Sequence, residues 1–423
     1  MEIIIKKRPE DKKPKFVYEE PPKMTPREKE KWMAEEIERW QNGYGGLNGD
    51  YYFHLTQILI RTPRGKRIPP RWRDLDDQIF EWQYNVRRKK QDGVVFKKRR
   101  AAFSTIFGGT LPLKIALENP GMTCGMTSAD KGRTNDMFRE KTMVAFDSMS
   151  EDLNISKMDA DDMRRITKEG QWPGWFQVRQ GTGTRMDSGK LYMDFFKKGK
   201  YSGDTSRVYC EQTTERPNDV TKFEGLALGY LLIDEYFLHP NPEGVRVSAS
   251  ASMMEDGGVK MGSAFLGGSC GLMSDEGRKN AQVMLEDMTR NPNSTMQQFF
   301  ISGAAALEAA EEYDDHGIKT GRVLNFCPNG YSDMERATEW IKQVRGILEK
   351  KKDKKEYYQF LYAYPLSVEE LFQFSRENWL TKDIMDLVQE QKINIMNNAV
   401  SQNKIVNRYA LLDTDGKITA IRD

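Results

Sequence analysis

The chain has 423 residues, of which 38% are hydrophobic and 30% charged, and its formal net charge is +2. That mix supplies a core and excludes wholesale disorder, while the near-balanced charge confines any nucleic-acid contact to local basic clusters. The mean hydropathy is −0.72, and Asp234 and Glu235 interrupt the most apolar stretch, Leu226 to Leu238, so no membrane span is expected. The opening MEIIIKKRPEDKKPK lacks an apolar signal-peptide segment. Cys124, Cys210, Cys270 and Cys327 form no C-x-x-C pair, which argues against a zinc site or a disulfide framework and fits a reducing cytoplasm. His54, His239 and His316 are too scattered to predict a histidine metal cluster.

In chain order, the charged, Pro-rich segment through Lys23 is expected to be loosely ordered. Thr25, Pro26 and Glu28 then read as a capping box opening a helix, with Trp32, Met33, Ile37 and Trp40 on one face and Asn42-Gly43 at its end. Asp50 to Ile60 is aromatic and β-branched and reads as a strand. Pro63 to Pro70 is a connector, and Arg73 to Arg88 a helix with an Ile79, Trp82 and Val86 stripe. Val94 to Phe96 is a short buried strand, followed by a basic turn and a helix from about Thr105. Thr123 to Thr127 is another strand, after which Ser128 opens a helix.

Further strands are expected at Lys190 to Phe196, Arg207 to Gln212, Tyr230 to Ile233 and Met261 to Leu266. The tract at Gly181 reads as a turn. Ser332 and Glu335 read as a second capping box, starting a helix with Trp340, Ile341, Val344 and Leu348 inside; it runs into the solvated basic stretch Lys350 to Lys355. Alternating strands and helices predict an α/β fold with a mostly parallel central sheet covered by helices on both faces.

Two segments carry chemistry. The first is strand, basic turn, helix: VVFKKRRAAFSTIF from Val94. A turn before a helix offers N–H groups and a positive dipole end to phosphate, Lys and Arg neutralise its charge, and Ser104 or Thr105 can offer Mg²⁺ a hydroxyl. The second is YLLIDE from Tyr230. An Asp at the tip of a buried strand can hold Mg²⁺, and the Glu beside it can orient and deprotonate a water. The standard G-x-x-x-x-G-K-[ST] loop is absent, because Ala102 stands at the glycine and Phe103 at the lysine.

The run Lys98-Arg99-Arg100-Ala101-Ala102-Phe103-Ser104-Thr105 resembles the variant phosphate loop of large terminase subunits of tailed bacteriophages. Arg73-Asp74 with Gln78 resembles their adenine segment, FEGLALGYLLIDE their acidic strand, Gly267 to Gly271 their coupling motif, and Tyr364-Pro365-Leu366-Ser367 with Glu369, Glu370 and Phe372 the end of their ATPase region. Glu224 stands where arginine is commoner.

The resemblance implies an additional-strand P-loop NTPase with a small helical lid subdomain, using ATP and Mg²⁺. Arg99 and Glu235 would be catalytic. Lys97, Lys98, Arg100, Ala102, Phe103, Ser104 and Thr105 would line the phosphates, with Lys97 or Lys98 replacing the missing lysine. Gln78 would contact adenine, Ser269 would sense the γ-phosphate, and Asp234 with Ser104 would hold Mg²⁺. Arg133 and Arg139 are candidates for an arginine acting on a neighbouring subunit, and Lys197 to Lys200 and Lys350 to Lys355 for DNA-backbone contacts.

The implied organisation is an N-terminal lid segment over residues 1–60, an ATPase core over 61–330 and a helical subdomain over 331–423. The implied partners are double-stranded DNA, a portal protein ring, a small terminase subunit and further copies in a ring, in the host cytoplasm without membrane contact. The family's nuclease domain is not expected, because only about fifty residues follow Phe372, and Asp413 and Asp415 read as a turn beside a strand. Rival readings are another nucleic-acid motor, such as a helicase, and a non-enzymatic portal- or capsid-associated protein.

Overall fold

A computed structural model describes residues 12–19, 23–62, 65–98, 101–150, 153–157, 176–180, 189–197, 199–214, 216–255, 258–269, 275–291, 294–314, 317–351, 354–372, 409–412 and 418–422. The chain divides into two compact units, Met1–Ser375 and Arg376–Asp423. In the second, β13 (Tyr409–Leu412) pairs antiparallel with β14 (Ile418–Arg422).

The first unit is built on an eight-stranded sheet. A small hairpin, β1 (Ile60–Arg61) and β2 (Arg67–Ile68), precedes it. The sheet strands in chain order are β3 (Asp92–Lys97), β4 (Thr123–Thr127), β5 (Phe176–Gln180), β6 (Lys190–Lys197), β7 (Lys200–Cys210), β8 (Leu228–Asp234), β9 (Ser263–Ser269) and β10 (Met296–Ile301). Their spatial order is β10-β3-β9-β8-β4-β7-β6-β5. The strands from β10 to β7 run parallel, and β6 and β5 extend the sheet antiparallel. One strand, β9, is thus inserted between the strand before the basic turn and the strand ending in Asp234. This is the additional-strand arrangement.

The parallel strands are buried on both faces, as helix-covered strands must be. Val95, Tyr230, Leu232 and Phe265 join one apolar cluster, while Val94, Phe96, Leu231, Ile233 and Leu266 join the other. The helix Pro26–Asn42 places Met33 and Trp40 in the first of these clusters. A third cluster, with Phe326, Trp340, Ile341 and Val344, lies among the antiparallel pair β11 (Ala309–Tyr313) and β12 (Lys319–Asn325) and the helices Met334–Glu349 and Lys355–Ala363. No helix among the described residues is long and apolar enough to cross a membrane.

The Thr25–Glu28 capping box forms as read, with both reciprocal hydrogen bonds present. Two local expectations are corrected. Asp50 to Ile60 is not a strand but mostly the helix Gly49–Gln57. Asn48 caps it by accepting from the Tyr51 N–H at 2.9 Å, and tertiary burial of Tyr51, Tyr52, Phe53 and Leu55 overrides their β propensity. The later helix is capped by Asp333 rather than Ser332, because Ser332 is engaged elsewhere: its Oγ donates to Asp74 Oδ1 at 2.8 Å.

Candidate functional site

Parallel register brings the strand ends together. Lys97 on β3 lies opposite Ser269 on β9, and Gly267 on β9 lies opposite Asp234 on β8. The chemistry-bearing termini of three neighbouring strands therefore share the carboxyl edge of the sheet, where open α/β folds bind ligands.

The turn after β3 folds back sharply. Ala102 takes the left-handed conformation, φ 57°, at the position where the standard loop has glycine. That lets the helix Phe103–Thr105 begin at once, and it continues through a π-type turn, Ile106–Thr110, into the helix Leu111–Glu118. Ser104 Oγ donates to Asp234 Oδ2 at 2.6 Å, so it is Ser104 that reaches the acidic strand end. Thr105 instead lines a crevice with Leu59, Arg61, Glu140 and Lys141.

The Phe103 side chain is part of the core, so only its backbone is left for the expected contact with phosphate. Its ring is buried, stacks on Phe107 at 4.4 Å, and lies over Gly267. A Cβ at Gly267 would sit 2.2 Å from Phe103 Cζ, and one at Gly268 would meet the Phe237 ring at 2.9 Å. The paired glycines thus let β9 pass between two aromatic rings belonging to the basic turn and the acidic turn.

The two lysines diverge. Lys97 Nζ, nearly buried, lies 3.8 Å from Asp234 Oδ1 and 3.9 Å from Glu235 Oε1, and 5.0 Å from the Phe103 ring centre. Lys98 turns away, its Nζ 4.6 Å over the Tyr364 ring. A lysine cation thus sits beside the two carboxylates, supplied from the strand before the turn rather than from the helix after it. Lysine's flexible stem permits this change of anchor.

Glu235 is itself left-handed, φ 51°, and its N–H donates to Asp234 Oδ1 at 2.9 Å. A short turn, Tyr236–Leu238, follows. Phe237 stacks on Phe96 of β3 at 5.3 Å, and Tyr236 Oη donates to Glu243.

Other expected residues lie elsewhere. Gln78 is exposed on the helix Asp74–Arg88. Arg133 and Arg139 are exposed and paired with Asp130 and Asp136. Arg99, Arg100, Gly181, Cys270, Gly271, Asp413 and Asp415 fall outside the described residues, and Ser269 is placed by its backbone alone.

Two neighbours of the site were not foreseen. Arg345 grips Glu370 with both ends, at 2.9 and 2.6 Å, and donates to the Tyr364 carbonyl at 2.8 Å. The Gly303 N–H after β10 donates to the Pro365 carbonyl at 2.6 Å. These bonds dock the Tyr364–Phe372 stretch beside β10 and bring Tyr364 over Lys98. Arg345 carried no sequence signal, because its partners are distant in the chain.

No protein-family profile matches the chain, and no curated protein matches it. Among solved structures, the chain is similar to the large terminase of a thermophilic bacteriophage in complex with ADP, at 11% identity and a TM-score of 0.32 over 55% of this chain. The chain spans 45% of that protein's length. It is also similar to the Thermus phage P74-26 large terminase ATPase domain, at 12% identity and a TM-score of 0.37, over 67% of this chain and 90% of that one. With likenesses this remote, the fold rests on the chain's own topology: a mixed α/β unit with a mostly parallel sheet between helices.

Proposed function

We propose that this chain is a Mg²⁺-dependent ATPase and the motor part of a large terminase, drawing double-stranded DNA into a procapsid. The observation that carries the reading is the meeting of Lys97, Ser104, Asp234 and Glu235 at one sheet edge, joined by the Ser104–Asp234 hydrogen bond.

The residues fit a magnesium ion. Asp234 and Ser104 present a carboxylate and a hydroxyl to one point, and among the described residues no group of three or more His, Cys, Asp or Glu gathers as an alternative metal site. Mg²⁺ is commonly held by one or two carboxylates, with phosphate oxygens and water filling the rest. When bound, it would neutralise charge on the transferred phosphoryl group. Lys97 would pair with phosphate oxygen, exchanging carboxylate partners for the substrate. Glu235 would accept a proton from the attacking water. The turn through Ala102 would present the first helical N–H groups, which lack intrahelical acceptors, to phosphate.

In this reading the partners are DNA, a portal ring, a small terminase subunit and further copies of the chain. The test compares the full chain with Glu235→Gln for ATP binding and Mg²⁺-dependent turnover, with and without DNA. The variant is expected to bind ATP while turnover falls by about a hundredfold or more. If neither protein binds ATP, the reading is wrong.

A further inference from the structure

A second set of polar groups lies behind the turn that carries Glu235. Thr127 ends β4, and its register partner is Ile233, the residue before Asp234. Thr127, Thr213 and His239 are all buried. Thr127 Oγ1 and Thr213 Oγ1 lie 2.9 Å apart, and Thr213 Oγ1 lies 2.7 Å from His239 Nε2.

The direction of the bond from His239 follows from chemistry. The Asn241 backbone N–H donates to His239 Nδ1 at 3.1 Å. A nitrogen that accepts carries no proton, so the neutral ring holds its proton on Nε2. That proton goes to Thr213, whose hydroxyl is hydrogen-bonded in turn to that of Thr127.

The geometry at Glu235 explains what these bonds are for. A non-glycine residue takes a left-handed conformation at a cost, and holds it only where its surroundings impose it. The Glu235 carbonyl accepts from the Leu238 N–H at 2.8 Å, and the Tyr236 carbonyl from the His239 N–H at 3.2 Å, so Glu235 to His239 is one closed turn. Phe237 pins that turn to β3, and Tyr236 pins it to Glu243. His239 ties it toward β4, through Thr213.

We propose that Thr127, Thr213 and His239 form a hydrogen-bond chain that holds the Glu235 turn against β4, making Thr213 and His239 positioning residues for Glu235. The proposal rests on the reading of Glu235 as the hydrolytic carboxylate. It asks the three residues to fix geometry without touching substrate.

The test has two parts, both on the full chain. The sequence has only three histidines, so selective ¹⁵N-imidazole labelling can assign each ring. The His239 ring is expected to be neutral with its proton on Nε2, and Thr213→Val is expected to shift its Nε2 signal. A proton on Nδ1, or a charged ring at neutral pH, overturns the proposal. In the second part, Thr213→Val, which removes the hydroxyl at nearly constant volume, is expected to lower kcat by about tenfold or more with KM for ATP nearly unchanged. Thr213→Ser is expected to restore it. If wild type turns over ATP and Thr213→Val matches it, the positioning role alone is overturned. If wild type shows no turnover, the reading of Glu235 fails and the role falls with it, while the ring spectrum still reports the hydrogen-bond chain.

Discussion

Ser104 Oγ donates a 2.6 Å hydrogen bond to Asp234 Oδ2, joining the turn after β3 to the tip of β8 across the inserted strand β9. Both groups are oxygen ligands suited to a hard divalent ion, and the bond holds them ready on one point. Ser104→Ala is therefore expected to raise the Mg²⁺ concentration needed for half-maximal turnover by about tenfold or more. Ser104→Thr keeps the hydroxyl and is expected to stay near wild type. A magnesium titration of turnover decides it, and an unchanged midpoint in Ser104→Ala removes Ser104 from the ion's shell.

The lysines should separate cleanly. Lys97 lies beside Asp234 and Glu235, whereas Lys98 lies over Tyr364. Lys97→Ala is expected to cut ATP turnover by about a hundredfold or more, the scale of losing a preorganised charge at the transition state. Lys98→Ala should be the milder lesion. Steady-state kinetics on both variants checks this, and a larger loss in Lys98→Ala would reverse the assignment.

Gly267→Ala would drive a Cβ into the Phe103 ring, at 2.2 Å from Cζ. Overpacking of this kind costs about 1–3 kcal/mol. Denaturant unfolding should show that loss, and the double variant Gly267→Ala with Phe103→Leu should recover part of it. Phe103→Lys, which mimics the standard loop in sequence, is expected to destabilise the fold rather than improve catalysis, because it buries an unpaired charge.

Burial pushes the His54 imidazole down to about 3 from an ordinary 6.5. The unfolded chain therefore binds this proton more readily than the folded one. The contribution to stability is complete above about pH 6.5 and is lost as pH falls toward 3, by about 1.4 kcal/mol per pH unit. Burial also lowers His239, to about 4, which acts in the same direction. Asp76, pushed up by burial to about 6, acts in the opposite sense as pH falls from 6 toward 4. Urea unfolding between pH 4 and 6.5 should lose stability with acid, and His54→Gln should flatten that slope by about 1.4 kcal/mol per unit. An unaltered slope would show that His54 titrates normally.

Much of this was legible in the sequence because it depends on local chemistry. Val94 to Phe96 and Tyr230 to Ile233 are apolar runs that parallel strands need on both faces, and both are strands. Thr25 and Glu28 need only each other to cap a helix, and they do. Asp234 and Glu235 had to end their strand, because a buried strand interior does not hold a carboxylate pair. By contrast, the Gly49–Gln57 helix was hidden, since its aromatic content suits a strand and only burial against neighbouring helices decides otherwise.

The tertiary structure alone decided how the site is assembled. Sequence left Lys97 and Lys98 equivalent, and side-chain chemistry alone left Ser104 and Thr105 equivalent, because adjacent residues differ only in the direction their side chains leave the backbone. The parallel register of β3, β9 and β8 and the left-handed turn at Ala102 set those directions: they send Lys97 and Ser104 to Asp234, Lys98 to Tyr364, and Phe103 into the core over Gly267. The sequence determined which chemical groups the chain owns and which strands carry them. Their meeting depends on contacts between residues far apart in the chain, which no local pattern encodes.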